Sequence, residues 1–562
     1  TRSVYSWTSS SRSNAPGARS LAGEAFDLIV VGGGAYGIML ALESVRRGLR
    51  PLVVERGDFA GATSHNSLRV VHGGLRYLQG LDLPRFRESV AERRWFLRHF
   101  PDLVEPLPCL MPLYGEGARR PAVLRAALLL NDALSHRRNV GVPAARALPQ
   151  GRVLDAAATR GRFPGVARAG LAGAALWHDA FIPDAPRLLI EALRWARAHG
   201  AHALNYVEGG QPIVENGRVT GLRAHDLRGG DEVRFRAPLV VNATGPWAPA
   251  FAAECGAPAP ELCRPSLAWN VVFDRPPPAD CALAARARGK GVQTYFLVPW
   301  KGVLLAGTGH ASWDGGVDAP RLSAPQLAAF IADLNAAVPG LCLGESDVAR
   351  VFAGILPATR AGGTDLTVRE AIVDHGARGG PSGLISLCGI KLTTARRVAD
   401  KVLRQAFPAA RPVPYNELPR LARTEPEPDY PFRWMPGAGD NAWRGPLARA
   451  VAEDAVEHLD DLILRRSALG DNPARARRLA EAAAALFAWD GARRGREIAA
   501  LEAALKGAAA PKELPGEPPK EPPKEPPGEP TEGLNLNDRL LSPTDRCQSG
   551  GRNGSCNRGE NP

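Results

Sequence analysis

From Phe26 to Asp58 the chain reads FDLIVVGGGAYGIMLALESVRRGLRPLVVERGD. An apolar run of strand length ends on Gly32-Gly33-Gly34-Ala35-Tyr36-Gly37, apolar residues at helical spacing follow, and a second short run closes on Glu55. That order predicts a βαβ unit. Gly32, Gly34 and Gly37 fall in G-x-G-x-x-G spacing between strand and helix. There they permit a tight turn and let the helix N-terminus approach a pyrophosphate, while Glu55 at the end of the next strand can bind ribose hydroxyls. A glycine-rich turn alone says little. With strand, helix and acid all in place, the unit points to a bound dinucleotide.

Two later stretches bear on which dinucleotide. In ERGDFAGATS, Thr63 and Ser64 stand where they can reach the pyrophosphate, and VVNATGPWA (Val240 to Ala248) supplies a second strand and turn against the same nucleotide, through Ala243 and Gly245. Val207 is placed with these contacts. This two-part cradle resembles that of the glutathione-reductase-type flavoproteins in their amino-acid-oxidase-like branch, which implies FAD rather than NAD.

The expected fold class is α/β: a Rossmann-like FAD-binding domain, an interleaved α+β substrate domain and a C-terminal helical domain. Residues 1–25 read as a disordered leader without the apolar core of a secretory signal. Residues 26–410 form the oxidoreductase domain, with FAD-binding segments at about 26–105, 180–264 and 346–410 and substrate-binding segments at about 106–179 and 265–345. Helices are expected near Leu83 to Phe100, Arg119 to Leu134 and across IPDAPRLLIEALRWARAHGA; Asn216-Gly217 suits a two-residue hairpin turn. Residues 418–507 read as helical, with AVAEDAVEHLDDLILRRSALG and RARRLAEAAAALFAWDG as the clearest helices. Residues 508–562 form a Pro-rich tail unable to build a core.

The formal charge is +12, and the tail from Ala508 carries 7 basic against 9 acidic residues, so the excess lies in the body. A basic body attracts anionic partners such as phosphorylated metabolites, acidic lipid headgroups or nucleic acid. No recognition helix, zinc finger or RNA-binding motif accompanies the charge, which sets nucleic acid aside. The eight cysteines form no C-x-x-C pair, so neither a metal site nor a disulfide framework is expected, and a reducing, cytoplasmic setting fits.

GATSHNSLRVVHGGLRYLQ, VVNATGPW, FLVPWKGVLLAGTG and CGIKLTTARRVADKVL occur in that order. Together they resemble the FAD-dependent glycerol-3-phosphate dehydrogenases and related oxidases, over about Phe26 to Leu505, with HLDDLILRRSALG similar to that family's C-terminal domain. The resemblance implies oxidation of a phosphorylated secondary alcohol, by default sn-glycerol 3-phosphate to dihydroxyacetone phosphate, with hydride passing to flavin N5. It implies a strand-to-helix turn at Gly389, Leu392 and Thr393 favouring the reduced flavin, and a substrate site of Arg76, Tyr77, Arg369 and Lys391. His72, Arg76 and Lys391 take the catalytic roles, His72 as the titrating group. Arg69, in the same run, reads as an ion-paired or snorkelling arginine.

Four positions depart from the family pattern. Leu356 stands where a phosphate-binding arginine is usual, with Arg360 four residues on as a substitute; Asn270 replaces a histidine; His310 follows Gly309 where Thr-Asp is usual; and Ile390 replaces a glycine. The departures fall on the substrate side. A related oxidoreductase acting on another polyol phosphate, a hydroxy acid or an amine therefore stays open, as does a non-catalytic FAD-binding scaffold. The implied electron acceptor is a quinone or oxygen, with peripheral contact at the inner face of the cell membrane.

Overall fold

Leu28–Val31, four consecutive buried aliphatic residues, form the strand on which the nucleotide side of the fold is built. Strands covered on both faces read as continuous apolar runs, and this one pairs in parallel with Pro51–Glu55 on one side and Val240–Asn242 on the other. The computed structural model describes residues 17–115, 117–286, 294–415 and 443–507. In it the sheet runs Ala371–Asp374, Leu384–Cys388, Val240–Asn242, Leu28–Val31, Pro51–Glu55, His202–Asn205, parallel except at the first pair. Helices Ala35–Val45, Ala185–Ala198 and Ala395–Ala406 bury their apolar faces together beside it.

A second, mixed sheet takes its strands from between these. Its path is Val348–Pro357, Pro265–Phe273, Val303–Ser312, Thr294–Trp300, Ala282–Arg286, Glu105–Leu113, Gly173–Phe181 and Val70–Val71, with Arg152–Leu154 paired to Gly173–Phe181. Val70–Val71 and Val348–Pro357 come from stretches assigned to the cofactor side by sequence, yet both pair here. A three-stranded antiparallel meander, Val207–Glu215, Arg218–Asp226 and Asp231–Arg236, completes the sheets among the described residues. Asn216 and Gly217 take φ of +50° and +74° between its first two strands, as a two-residue hairpin of this type requires.

Ordered structure begins before Phe26. Ala18–Leu21 makes a short 3₁₀ turn that buries Ala18 and Leu21 against Phe26, because those two apolar side chains cover the end of the sheet. The rest of the expected leader, and the Pro-rich tail from 508, lie outside the described residues.

The stretch AVAEDAVEHLDDLILRRSALG is not one helix. Arg444–Glu453 stops, Ala455 turns to φ +53°, and Asp461–Arg465 forms a π turn. The reason lies in the buried polar groups. The Asp461 carboxylate accepts the backbone N–H groups of Glu457 (3.0 Å) and His458 (2.9 Å) and the Tyr206 hydroxyl (2.6 Å), bonds that a continuous helix would not leave available. Val456, Leu459, Leu462 and Ile463 then share one core with Pro473–Ala484 and Gly491–Gly507.

Candidate active site

A cavity of about 880 Å³ runs between the two larger sheets, within the size range of small-molecule and cofactor sites. One end is the glycine turn. Gly32 adopts φ +108°, and a Cβ there would stand 2.6 Å from the Ala243 carbonyl oxygen, so the second strand-and-turn presses directly on the first. The following helix has Gly34 at its N-cap and no acidic residue in its first turn. Its positive end is therefore open to an anion. Ser64 Oγ accepts the Ala35 N–H at 3.0 Å, and the Glu55 carboxylate accepts the N–H groups of Gly33 (2.6 Å) and Gly57 (2.8 Å). Burial raises the pKa of Glu55 against the pull of these two bonds.

Gly32, Gly34, Glu55, Thr63, Ser64, Ala243, Gly245, Gly389, Leu392 and Thr393 all line the cavity. Gly37 and Val207 do not. Gly37 sits beneath the turn, its missing Cβ leaving room for the Gly32 carbonyl, while Val207 is fully buried between the lining residues Tyr206 and Glu208.

The opposite wall comes from LRVVHGG and the second sheet. His72 lines the cavity with its side chain 47% exposed, and its Nδ1 lies 3.1 Å from Asp179 Oδ2. Asp179 also accepts the Gly73 N–H (2.8 Å), Arg93 Nη1 (3.0 Å) and Trp177 Nε1 (3.2 Å). Burial alone would raise its pKa, but His72, Arg93 and the Gly73 amide together hold it down to about 2. A carboxylate that only accepts places the His72 ring proton on Nδ1 and leaves Nε2 with a lone pair. Asp179 escaped the sequence reading, although an acid inside the otherwise apolar strand GAALWHDAF was a usable signal, since a buried charge needs a partner.

Lys391 stands at the far end, exposed, its Nζ donating to the Tyr77 hydroxyl. Its backbone is fixed by Tyr36, whose hydroxyl donates to the Lys391 carbonyl at 3.0 Å and whose ring packs over Gly389, where a Cβ would fall 1.8 Å from the ring. Burial pushes the Tyr36 phenol well up, keeping it protonated as donor. Tyr77 and Lys391 are thus brought together. Arg76, Arg360 and Arg369 are exposed and, like Tyr77, do not line the cavity.

The departing positions separate in the same way. Leu356 and Ile390 line the cavity and make its wall apolar. Asn270 lines it as well, but its amide is occupied: Nδ2 donates to the Asn66 carbonyl and Oδ1 accepts Thr308 Oγ1, both at 3.0 Å. His310 lies off the cavity, its pKa lowered by burial. Arg69 is buried, lines the cavity, donates to the Pro183 carbonyl at 3.0 Å, and has its guanidinium 4.6 Å from the Trp300 ring. His458, Asp460 and Arg465 reach the cavity from the helical segment, which the sequence reading did not anticipate.

Residues 27–400 match the family described as FAD dependent oxidoreductase. The chain is 32% identical over 450 residues to glycerol-3-phosphate dehydrogenase of Synechocystis sp., covering 78% of this chain and 77% of that protein. It is 35% identical over 394 residues to glycerol-3-phosphate dehydrogenase 1 of Mycobacterium tuberculosis, covering 68% and 73%. The solved structure of glycerol-3-phosphate dehydrogenase from Bacillus halodurans, complexed with FAD, shares the fold with a TM-score of 0.66 at 21% identity, over 88% of this chain and 97% of that one.

Proposed function

The chain belongs to the FAD-dependent oxidoreductase family, and from that premise we propose that it oxidises sn-glycerol 3-phosphate to dihydroxyacetone phosphate. The observation that carries the reading is one cavity holding three things: a glycine-turn cradle, a histidine backed by a buried carboxylate, and a lysine steadied by a tyrosine. Relatives named glycerol-3-phosphate dehydrogenase support the choice of substrate.

Gly32, Gly34, Glu55, Thr63, Ser64, Ala243 and Gly245 would hold the nucleotide half of FAD, and Gly389, Leu392 and Thr393 the flavin half. When bound, FAD supplies the hydride acceptor, N5. The protein's own part is binding and proton transfer. Lys391 offers a cation for the substrate phosphate. His72 Nε2 takes the hydroxyl proton as the C–H bond yields its hydride, and ionised Asp179 stabilises the imidazolium so formed. Electrons then leave to a quinone or to oxygen; comparing oxygen uptake with reduction of a quinone analogue during turnover identifies which.

Two results check this reading. Gly37→Ala would put a methyl 1.8 Å from the Gly32 carbonyl oxygen, a backbone atom that cannot give way, so the purified variant retains little FAD, read from flavin absorbance per protein. In an anaerobic titration, glycerol 3-phosphate bleaches the flavin, and Lys391→Ala raises the concentration required about ten- to hundredfold, the worth of one charge-assisted hydrogen bond. One observation favours a different substrate: Ile355, Leu356 and Pro357 make an apolar wall. Equal bleaching by unphosphorylated hydroxy acids or amines would select that alternative, and no bleaching by any of them would leave a cofactor-binding scaffold.

A further inference from the structure

We propose that the C-terminal helical segment completes the cofactor site, with His458 and Asp460 closing the adenosine end of the cavity, so that FAD is held between the nucleotide sheet and the helices. The inference deepens the reading above and rests on FAD as the cofactor. Glu55 marks the ribose end. The chain just past it, Gly57 and Asp58, lines the cavity together with Tyr206, and the helical segment is fastened to both places. Arg465 donates to Asp58, the Tyr206 N–H donates to the Gly57 carbonyl at 3.1 Å, and the Tyr206 hydroxyl donates to Asp461 at 2.6 Å. Asp461 in turn accepts the His458 N–H at 2.9 Å. His458 and Asp460 therefore reach the cavity where Glu55 does, away from Lys391.

The His458 ring is restrained on two sides although it is not buried. It meets the Tyr206 ring edge-on with centroids 4.7 Å apart, and its Nδ1 lies 2.9 Å from Glu497 Oε1. Glu497 is itself buried, its second oxygen accepting the Leu459 N–H at 3.1 Å. A carboxylate accepts only, so the neutral ring carries its proton on Nδ1 and keeps a lone pair on Nε2, which has no partner among the described residues. Asp460 gives Oδ2 to Arg465 at 2.9 Å, which offsets its charge, and Oδ1 has no partner among the described residues. Holding side chains in one conformation costs entropy, and here the two that are held present acceptors. Acceptors do not suit a pyrophosphate. They suit the adenosine half of FAD, whose exocyclic amine and ribose hydroxyls are donors.

The test strips flavin from the full chain and titrates FAD back, following the quenching of flavin fluorescence, with ADP as a competitor that carries the adenosine half alone. His458→Phe keeps a ring against Tyr206 and removes the acceptor. Asp460→Ala leaves Arg465 bonded to Asp58 and Asp461. Each change should weaken FAD about three- to tenfold, the worth of one hydrogen bond, and the double variant by about the product, with ADP weakened by the same factors. The flavin-free variants should melt within about 2 °C of flavin-free wild type. FAD affinity within about twofold of wild type in the double variant overturns the proposal. So does weakened FAD with unchanged ADP, which would move the contact off the adenosine, or a larger fall in the flavin-free melting temperature, which would assign the loss to packing. Wild-type protein that takes up no FAD overturns the cofactor reading along with this inference, so the two failures are told apart.

Discussion

Asp58→Ala destabilises the protein by about 3–5 kcal/mol, the usual cost of leaving a buried charge without its partner. The Asp58 side chain is 1% exposed and that of Arg466 is fully buried; they pair through both oxygens, at 2.8 and 2.7 Å. Arg465 donates to the same carboxylate, and Asn205 Nδ2 approaches it at 3.4 Å. Removing the carboxylate strands the Arg466 guanidinium at the junction between the nucleotide loop and the helical segment, while Arg465 keeps Asp460 and Asp461 as partners. Urea unfolding followed by tryptophan fluorescence measures the loss. The double variant Asp58→Ala/Arg466→Met should lose less than the sum of the two single changes, because the second removes the charge that the first stranded. The sign with pH is fixed too. Burial alone would raise the Asp58 pKa, but Arg466 and Arg465 outweigh it and hold the carboxyl below its ordinary value. The contribution is therefore complete above the unfolded value of about 3.9 and disappears as pH falls through the lower folded value. The gap between wild type and variant should close on acidification below about pH 4. A variant as stable as wild type at neutral pH would refute the coupling.

How much of this could be read from the chain depended on the range of the forces involved. The βαβ unit and the Asn216-Gly217 hairpin were legible because spacing within a few residues determines them. The His72–Asp179 pair joins residues 107 apart and the Arg466–Asp58 pair joins residues 408 apart, and no local pattern reports such meetings. Arg76 and Tyr77 show a finer limit. Both belong to the same motif, but in helix Leu75–Gln79 neighbours point about 100° apart, so Tyr77 reaches Lys391 while Arg76 stays exposed, and neither lines the cavity itself. Asn270 was identifiable as a change on the substrate side, yet the commitment of both its amide atoms to Asn66 and Thr308 depends on a neighbouring strand and a loop. The break at Ala455 was hidden for a similar reason: helical periodicity continues through a sequence whose buried acid, Asp461, is satisfied only by ending the helix.

His72→Gln slows turnover about a hundred- to ten-thousandfold, the span associated with losing a positioned general base. This variant isolates the role better than one at Asp179. The carboxylate also binds buried Arg93, so its replacement would unsettle the fold along with the chemistry. The His72 ring is half exposed, contacts Phe296 at 5.0 Å between centroids, and can be removed without opening a core cavity. Flavin content should therefore stay unchanged while kcat falls. The split between kcat and KM separates a base from a spacer. Glutamine can still donate to Asp179 but carries no basic nitrogen, so loss of the base lowers kcat and leaves KM nearly unchanged. Asp179 keeps the wild-type ring in its productive tautomer, since its own pKa of about 2 leaves it ionised. If His72→Gln retains the rate within about tenfold, the hydroxyl proton leaves by another route, and the histidine serves only to hold the Gly73 turn against Asp179.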